Sequence, residues 1–456
     1  MLSRLDEAFA SPADSGGPLS RNGSGRPGRM STVACARRLL APVRHEIVAL
    51  AQQLVRTDTV AVPPDGNERA GQRVLAHFLR KAGLDVERYE TAPLLRRSKH
   101  AYVRRERRYE GRPNVLARLP GTGRGRSLLL NGHMDTVPAG ELAWRRDPWC
   151  GSLSGGRLYG RGAWDMKGGL AAQFGVLLAL QRGGVRLAGD VLAESVVDEE
   201  WAGGGGTLAG RLRGDRADAA VIAEGTNLSV LRATRGGHFV EITATAGDPS
   251  KYFSSDEVLS PAFPLGRLLG WVEGWNAVRR RIRRGQAYAA FAHPAPVQVL
   301  AVEANRFDPG VPWAVPLTAR VRLYFQFLPH EDVAAVLGQI RRSLKEFCRR
   351  DAFFREHPPE WRDVVYPPLV GHELPARHEW TRCLHGQAIA CLGEAPLSAA
   401  PYPCDAFLLQ REFGIPTLLF GPSGGGAHNP DEYVTVKSVI QTAQVLLASA
   451  LEWCGG

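Results

Sequence analysis

The chain lacks any apolar run long enough to cross a bilayer as a helix, which takes about 20 residues; this argues against a membrane-embedded protein. Its seven cysteines (Cys35, Cys150, Cys348, Cys383, Cys391, Cys404, Cys454) are odd in number and form no Cys-x-x-Cys pair. That spacing argues against a disulfide framework and a thiolate zinc site, and for a reducing, cytoplasmic setting. The glycine run Gly203–Gly206 is joined by neither a P-loop Lys-Ser/Thr nor a dinucleotide fingerprint, so it reads as a flexible entry to a helix, not a phosphate cradle. A net charge of +11 and a pI near 9.6 invite a nucleic-acid reading. Yet the arginines are spread along the chain, with small clusters at Arg104–Arg108 and Arg279–Arg284, and no nucleic-acid module frames them. They read as solvated basic faces, with no nucleic-acid partner. The N-terminal stretch is rich in Gly, Ser, Arg and Pro and has no apolar core segment, so residues 1–35 are expected to be a disordered extension, not a secretory signal.

What is present is ordinary globular material, 44% hydrophobic and 23% charged over 456 residues, more than one core usually supports. Helical spacing of apolar positions predicts helices over 42–56, 68–82, 168–181, 258–284, 331–348, 379–392 and 436–453. Short apolar or alternating runs predict strands over 84–91, 114–119, 127–131, 190–197, 217–223, 239–246, 297–303, 317–327 and 417–420. The charged segment 96–111 predicts nothing. Strands and helices between about 234 and 347 carry no acidic or histidine turn, which predicts an inserted α+β domain.

The chemistry concentrates between Ser127 and Trp201. Three turns there, Gly132-His-Met-Asp-Thr-Val-Pro138, Gly160-Arg-Gly-Ala-Trp-Asp-Met-Lys-Gly168 and Asp198-Glu-Glu200, each follow an apolar run read as a buried parallel strand or its approach. Sites in open α/β sheets form beyond the carboxyl ends of such strands. His133, Asp135, Asp165, Glu199 and Glu200 would therefore converge, and carboxylates crowded around an imidazole need a cation to hold them together. Glu224 and His428 follow later strands in the same manner. Imidazole and carboxylate donors without thiolate suit zinc, and also cobalt or manganese. Glu199 and Glu200, as neighbours in an extended segment, would point to opposite sides, which leaves one of them off the metal and free to move protons.

These motifs, together with Gly421-Pro-Ser and Ala427-His-Asn-Pro-Asp-Glu-Tyr433, occur in the order and spacing of the M20 metallopeptidases, which the chain resembles from about residue 42 to 453. The resemblance implies an α/β, zinc-peptidase-like mixed sheet flanked by helices, with an inserted α+β lid or dimerisation domain. Its expected bounds are 36–233 and 348–456 for the two parts of the catalytic domain and 234–347 for the lid. It implies two divalent metal ions, one held by His133, Asp165 and Glu224, the other by Asp165, Glu200 and His428. Asp135 would orient the His133 ring, and Glu199 would be the general base in hydrolysis of an amide bond in a small N-acyl amino acid or dipeptide-like substrate. A homodimer through the inserted domain is a further implication.

The chain departs from the family pattern in the insert, where Lys251, Trp313 and Gln326 stand near positions usually held by histidine, asparagine and arginine. Lys251, with Gly425 and Gly426 of the late glycine loop, is a candidate substrate contact. Asp405 matches a family position, with a structural role expected. The departures leave open an unusual amide or amidine substrate, or a metal-binding protein without turnover.

Overall fold

The computed structural model describes residues 31–245, 260–304 and 317–455. Lys251 and Trp313 lie outside the described residues. The described residues form two compact units, one within 31–232, 374–397 and 408–455, the other within 233–245, 260–304, 317–373 and 398–407.

The first unit is built on an eight-stranded mixed sheet, in the order Leu397–Ser398, Val230–Leu231, Thr417–Leu419, Ala219–Ile222, Leu128–His133, Val191–Val196, Pro113–Leu119 and Val86–Glu90. Its centre is parallel: Leu128–His133 pairs in parallel with both Val191–Val196 and Ala219–Ile222, and Ala219–Ile222 with Thr417–Leu419. The strands Leu128–His133, Val191–Val196 and Ala219–Ile222 are buried at every position, as expected of parallel strands covered on both faces. The helix Gly168–Arg182 is buried continuously from Gly168 to Leu180. Its small residues admit a close neighbour, since a Cβ at Gly175 would lie 2.4 Å from the Ile47 side chain. Truncating a fully buried leucine here, such as Leu130, would cost about 2–5 kcal/mol.

Two expectations change at this level. The helix Thr32–Leu40, capped by the Ser31 side chain on the Ala34 N–H, overlaps the last residues of the expected disordered extension. The turn bearing Asp165 does not follow a strand of the main sheet. It follows Arg157–Tyr159 in a separate four-stranded antiparallel sheet with Ser152–Ser154, Gly424–Gly425 and Tyr433–Thr435, and leads through residues 163–167 directly into the helix from Gly168.

The second unit is a four-stranded antiparallel sheet, Val297–Ala304, Thr318–Phe327, Gly236–Thr245 and Glu360–Asp363. The helices Ala262–Arg280 and Val333–Arg350 contribute Leu265, Leu268, Leu337, Ile340 and Leu344 to a core shared with Val240, Ile242, Val321 and Leu323 of the sheet. Helices and antiparallel strands thus share one core in this unit.

Candidate metal centre

Each parallel strand of the main sheet delivers a candidate donor at or beyond its carboxyl end. Leu128–His133 ends on His133, Val191–Val196 leads to Glu199 and Glu200, Ala219–Ile222 to Glu224, and Thr417–Leu419 to the loop carrying His428. Asp165 joins them from the turn before the helix. Its two carboxylate oxygens face different histidines, Oδ1 lying 3.1 Å from His133 Nε2 and Oδ2 3.3 Å from His428 Nε2. Glu224 Oε1 lies 3.6 Å from His133 Nε2, and Glu200 Oε2 2.9 Å from His428 Nε2. Glu199 Oε2 is 4.0 Å from His133 Nε2.

Two sets of donors thus share His133: His133 with Glu199 and Glu224, and His133 with Asp165 and Glu200. The residues fit divalent cations. Glu200 Oε1 and Asp135 Oδ1 are buried without a hydrogen-bond partner, and buried carboxylate oxygens in that condition call for a cation or a proton. Burial disfavours the imidazolium of His133 and of His428. The hydrogen bonds to Asp165, and to Glu200 in the case of His428, together with the charges of the surrounding carboxylates, outweigh burial and hold both rings above the usual histidine range. Burial would raise Asp165, but the two histidines draw its carboxyl below the usual range, while burial and the Asp165 charge push Glu200 up. The cluster is one of excess negative charge seeking a positive partner.

Asp135 meets the His133 ring chiefly through its backbone. The His133 ring is held by the Asp135 backbone carbonyl, 2.9 Å from Nδ1, and the Asp135 carboxylate is farther, at 3.7 Å. That carboxylate instead accepts from the N–H groups of both Glu199 and Glu200 through Oδ2, at 2.9 and 3.0 Å. The expectation that Glu199 and Glu200 face opposite ways is also corrected. Alternation belongs to extended backbone, whereas the strand ends at Val196 and Asp198 adopts a left-handed φ of 66°. In the resulting turn both side chains reach the histidines, Glu199 that of His133 and Glu200 that of His428.

Sequence reasoning missed Glu432. This buried carboxylate accepts from Arg161 Nη1 at 2.7 Å, Gly162 N at 3.0 Å, Trp164 N at 2.9 Å and Asp165 N at 3.1 Å, and so fixes the backbone that presents Asp165. Its signal was its place in the motif Ala427-His-Asn-Pro-Asp-Glu-Tyr433, to which no role for Glu432 was attached. Gly425 pairs with Tyr433 in the small sheet, and Gly426 adopts φ 78°, where a side chain would be strained. Gln326 is buried in the second unit, accepting from Arg235 at 2.6 Å and donating to Gln298 at 3.2 Å. Asp405 is buried in the same unit.

The basic clusters are not solvated faces throughout. Arg104 and Arg107 are buried, as is nearby Arg112, and Arg279 is buried against Glu331 at 2.6 and 2.7 Å. Among the described residues no helix is long and apolar enough to cross a membrane.

Residues 129–452 match the model of peptidase family M20/M25/M40. The chain is 39% identical over 403 residues to a succinyl-diaminopimelate desuccinylase of Methylobacterium radiotolerans, covering 86% of this chain and 92% of that one. It is 25% identical over 433 residues to an N-formyl-4-amino-5-aminomethyl-2-methylpyrimidine deformylase of Halalkalibacterium halodurans, covering 90% and 95%. In fold it is similar to human carnosine dipeptidase 1, with a TM-score of 0.69 at 17% identity, covering 92% of this chain and 99% of that one. A catalytic-unit sheet that gathers histidines and carboxylates at its carboxyl edge, and a family match spanning most of the sequence, lead to one conclusion: the chain belongs to peptidase family M20/M25/M40 and is a metal-dependent amidohydrolase or peptidase.

Proposed function

We propose that the chain hydrolyses the amide bond of a small N-acyl amino acid or dipeptide-like substrate, using two divalent cations with zinc as the expected metal. His133, Asp165 and Glu224 would hold one ion, and Asp165, Glu200 and His428 the other. The observation that carries this reading is Asp165, whose two oxygens each face the Nε2 of a different histidine; a bridging carboxylate needs that disposition. When bound, the ions supply charge neutralisation, a more acidic water and a polarised carbonyl.

The remaining work falls to the protein. Glu199 is held by its N–H on Asp135, with a side chain 15% exposed and so open to a water. It takes the water proton as oxygen attacks the acyl carbon, and hands it to the departing nitrogen as the C–N bond breaks, leaving a carboxylate and an amine. Asp135 keeps Glu199 and Glu200 in fixed relation, and Glu432 does the same for Asp165.

A second reading, hydrolysis of an N-formyl amine, is favoured by the similarity to the H. halodurans deformylase along 90% of the chain. A panel of N-acyl amino acids, dipeptides and N-formyl amines, assayed with zinc-, cobalt- and manganese-loaded protein, decides between them. Glu199→Ala should abolish turnover and leave the metal content unchanged. Loss of metal in that variant would place Glu199 among the ligands, and absence of turnover on every panel member would refute the substrate class. The exposed Val299, Leu300 and Val302 on the edge strand Val297–Ala304 support a homodimer through the second unit, to be checked by light scattering.

A further inference from the structure

The segment 104–112, illegible as sequence, takes hold of the turn that bears Glu199 and Glu200. Both oxygens of Asp198 are engaged: Oδ1 accepts from Arg107 Nη1 at 2.8 Å and Arg112 Nη2 at 3.4 Å, and Oδ2 from the Tyr109 hydroxyl at 2.7 Å. The grip extends to the backbone, since Arg107 Nη2 donates to the Trp201 carbonyl at 2.7 Å and Arg104 Nε to the Ala202 carbonyl at 3.1 Å. Arg112 is anchored in turn on Glu68, at 2.9 and 2.5 Å. All of these side chains are buried.

The glycines that follow are packed, not flexible. A Cβ at Gly203 would lie 2.2 Å from the Asp198 carbonyl oxygen, and one at Gly205 2.4 Å from the Tyr109 ring.

Three consecutive carboxylates, Asp198, Glu199 and Glu200, would all be drawn to the same pair of cations. Guanidinium groups aligned on Asp198 hold it in a saturated, buried pocket, while Asp135 takes the N–H groups of the next two residues. Residues 198, 201 and 202 are thus gripped by the arginine segment and residues 199 and 200 by Asp135, so the turn is fixed from both sides.

We infer that Arg107, with Arg104, Tyr109 and Arg112, is a positioning device that sorts this acidic triplet. It assigns Asp198 to the guanidinium side and leaves Glu199 and Glu200 to the metal side. Arg107 is its central positioning residue, because it bonds both the Asp198 carboxylate, at 2.8 Å, and a backbone carbonyl of the turn, at 2.7 Å. The inference rests on the proposed two-metal centre.

The test uses Arg107→Ala and Arg107→Lys in the full chain, loaded with cobalt(II). The visible absorption of cobalt reports ligand geometry independently of turnover. Displacing a catalytic group by about 1 Å costs about 10²-fold in rate, so kcat of Arg107→Ala should fall by about that factor with KM little changed. The cobalt bands should shift, and millimolar guanidinium chloride should restore both bands and kcat by refilling the vacated pocket. Arg107→Lys, which keeps the charge but reaches one acceptor at a time, should be intermediate, and it decides the matter alone if the alanine variant does not fold. Folded variants with wild-type cobalt bands and wild-type kcat would overturn the inference, as would a loss that guanidinium cannot repair. A wild-type protein that takes up no cobalt would instead overturn the metal-centre reading, so the two failures are distinct.

Discussion

Glu432→Gln is the substitution whose consequence can be worked most fully from the structure. The carboxylate divides its acceptors cleanly: Oε1 takes the N–H groups of Trp164 and Asp165, and Oε2 takes Gly162 N–H and Arg161 Nη1. A glutamine has one oxygen and an NH2, so whichever way it turns, two donors face a donor. Arg161 is 1% exposed, and its Nε and Nη2 have no hydrogen-bond partner; Glu432 is its counter-charge. Removing one partner of a buried ion pair costs about 3–5 kcal/mol. The amide oxygen should therefore turn toward Arg161, which leaves the N–H groups of Trp164 and Asp165 without an acceptor and loosens the turn presenting Asp165.

Two results are expected. The urea midpoint of the metal-free protein, followed by circular dichroism, should correspond to a loss of about 3 kcal/mol. Zinc affinity, measured by competition with a chromogenic chelator, should fall about 10–100-fold, as is usual when the support behind a ligand is removed. Stability within about 0.5 kcal/mol of wild type, the range of an inconsequential surface change, together with unchanged zinc affinity would refute the assignment of Glu432 as the anchor of this turn.

His428→Ala removes the half-exposed histidine facing Asp165 and Glu200; bound metal by elemental analysis should drop from two ions to one per chain after dialysis. Gly225→Ala places a Cβ 2.4 Å from the Trp164 indole nitrogen, which bonds the Pro422 carbonyl at 2.9 Å. Overpacking of this kind costs about 1–3 kcal/mol, visible as a lowered melting temperature. Burial pushes the Cys454 thiol up to about 12, so very little thiolate exists at pH 8. Peptide mapping after iodoacetamide treatment should show Cys454 unlabelled in native protein and labelled in urea.

The candidate donors His133, Glu199, Glu200 and Glu224 were legible because they follow segments with an unambiguous local pattern. Leu128–His133, Val191–Val196 and Ala219–Ile222 are short uninterrupted apolar runs, and the polar residue after such a run must emerge at a strand end. The closing helix Val436–Trp453 was equally plain from its apolar spacing. Asp165 was identified as a donor but misplaced, since its turn leaves a short antiparallel strand, one of whose two partners, Tyr433–Thr435, is far away in the sequence.

What the sequence by itself determined is the composition of the centre: which histidines and carboxylates exist, and that strand ends would present them. Backbone patterning is a local property, and local periodicity survives in a linear reading. Only the tertiary structure decided which acidic residue lies beside the histidines and which faces an arginine. Asp198, Glu199 and Glu200 are chemically alike and adjacent, and they are told apart by groups distant along the chain: Arg107 and Tyr109 on one side, Asp135 and His428 on the other. The same holds for Glu432, whose partners lie 267 to 271 residues away. A charge acquires its role from the counter-charge that folding brings to it, and no periodicity encodes that pairing.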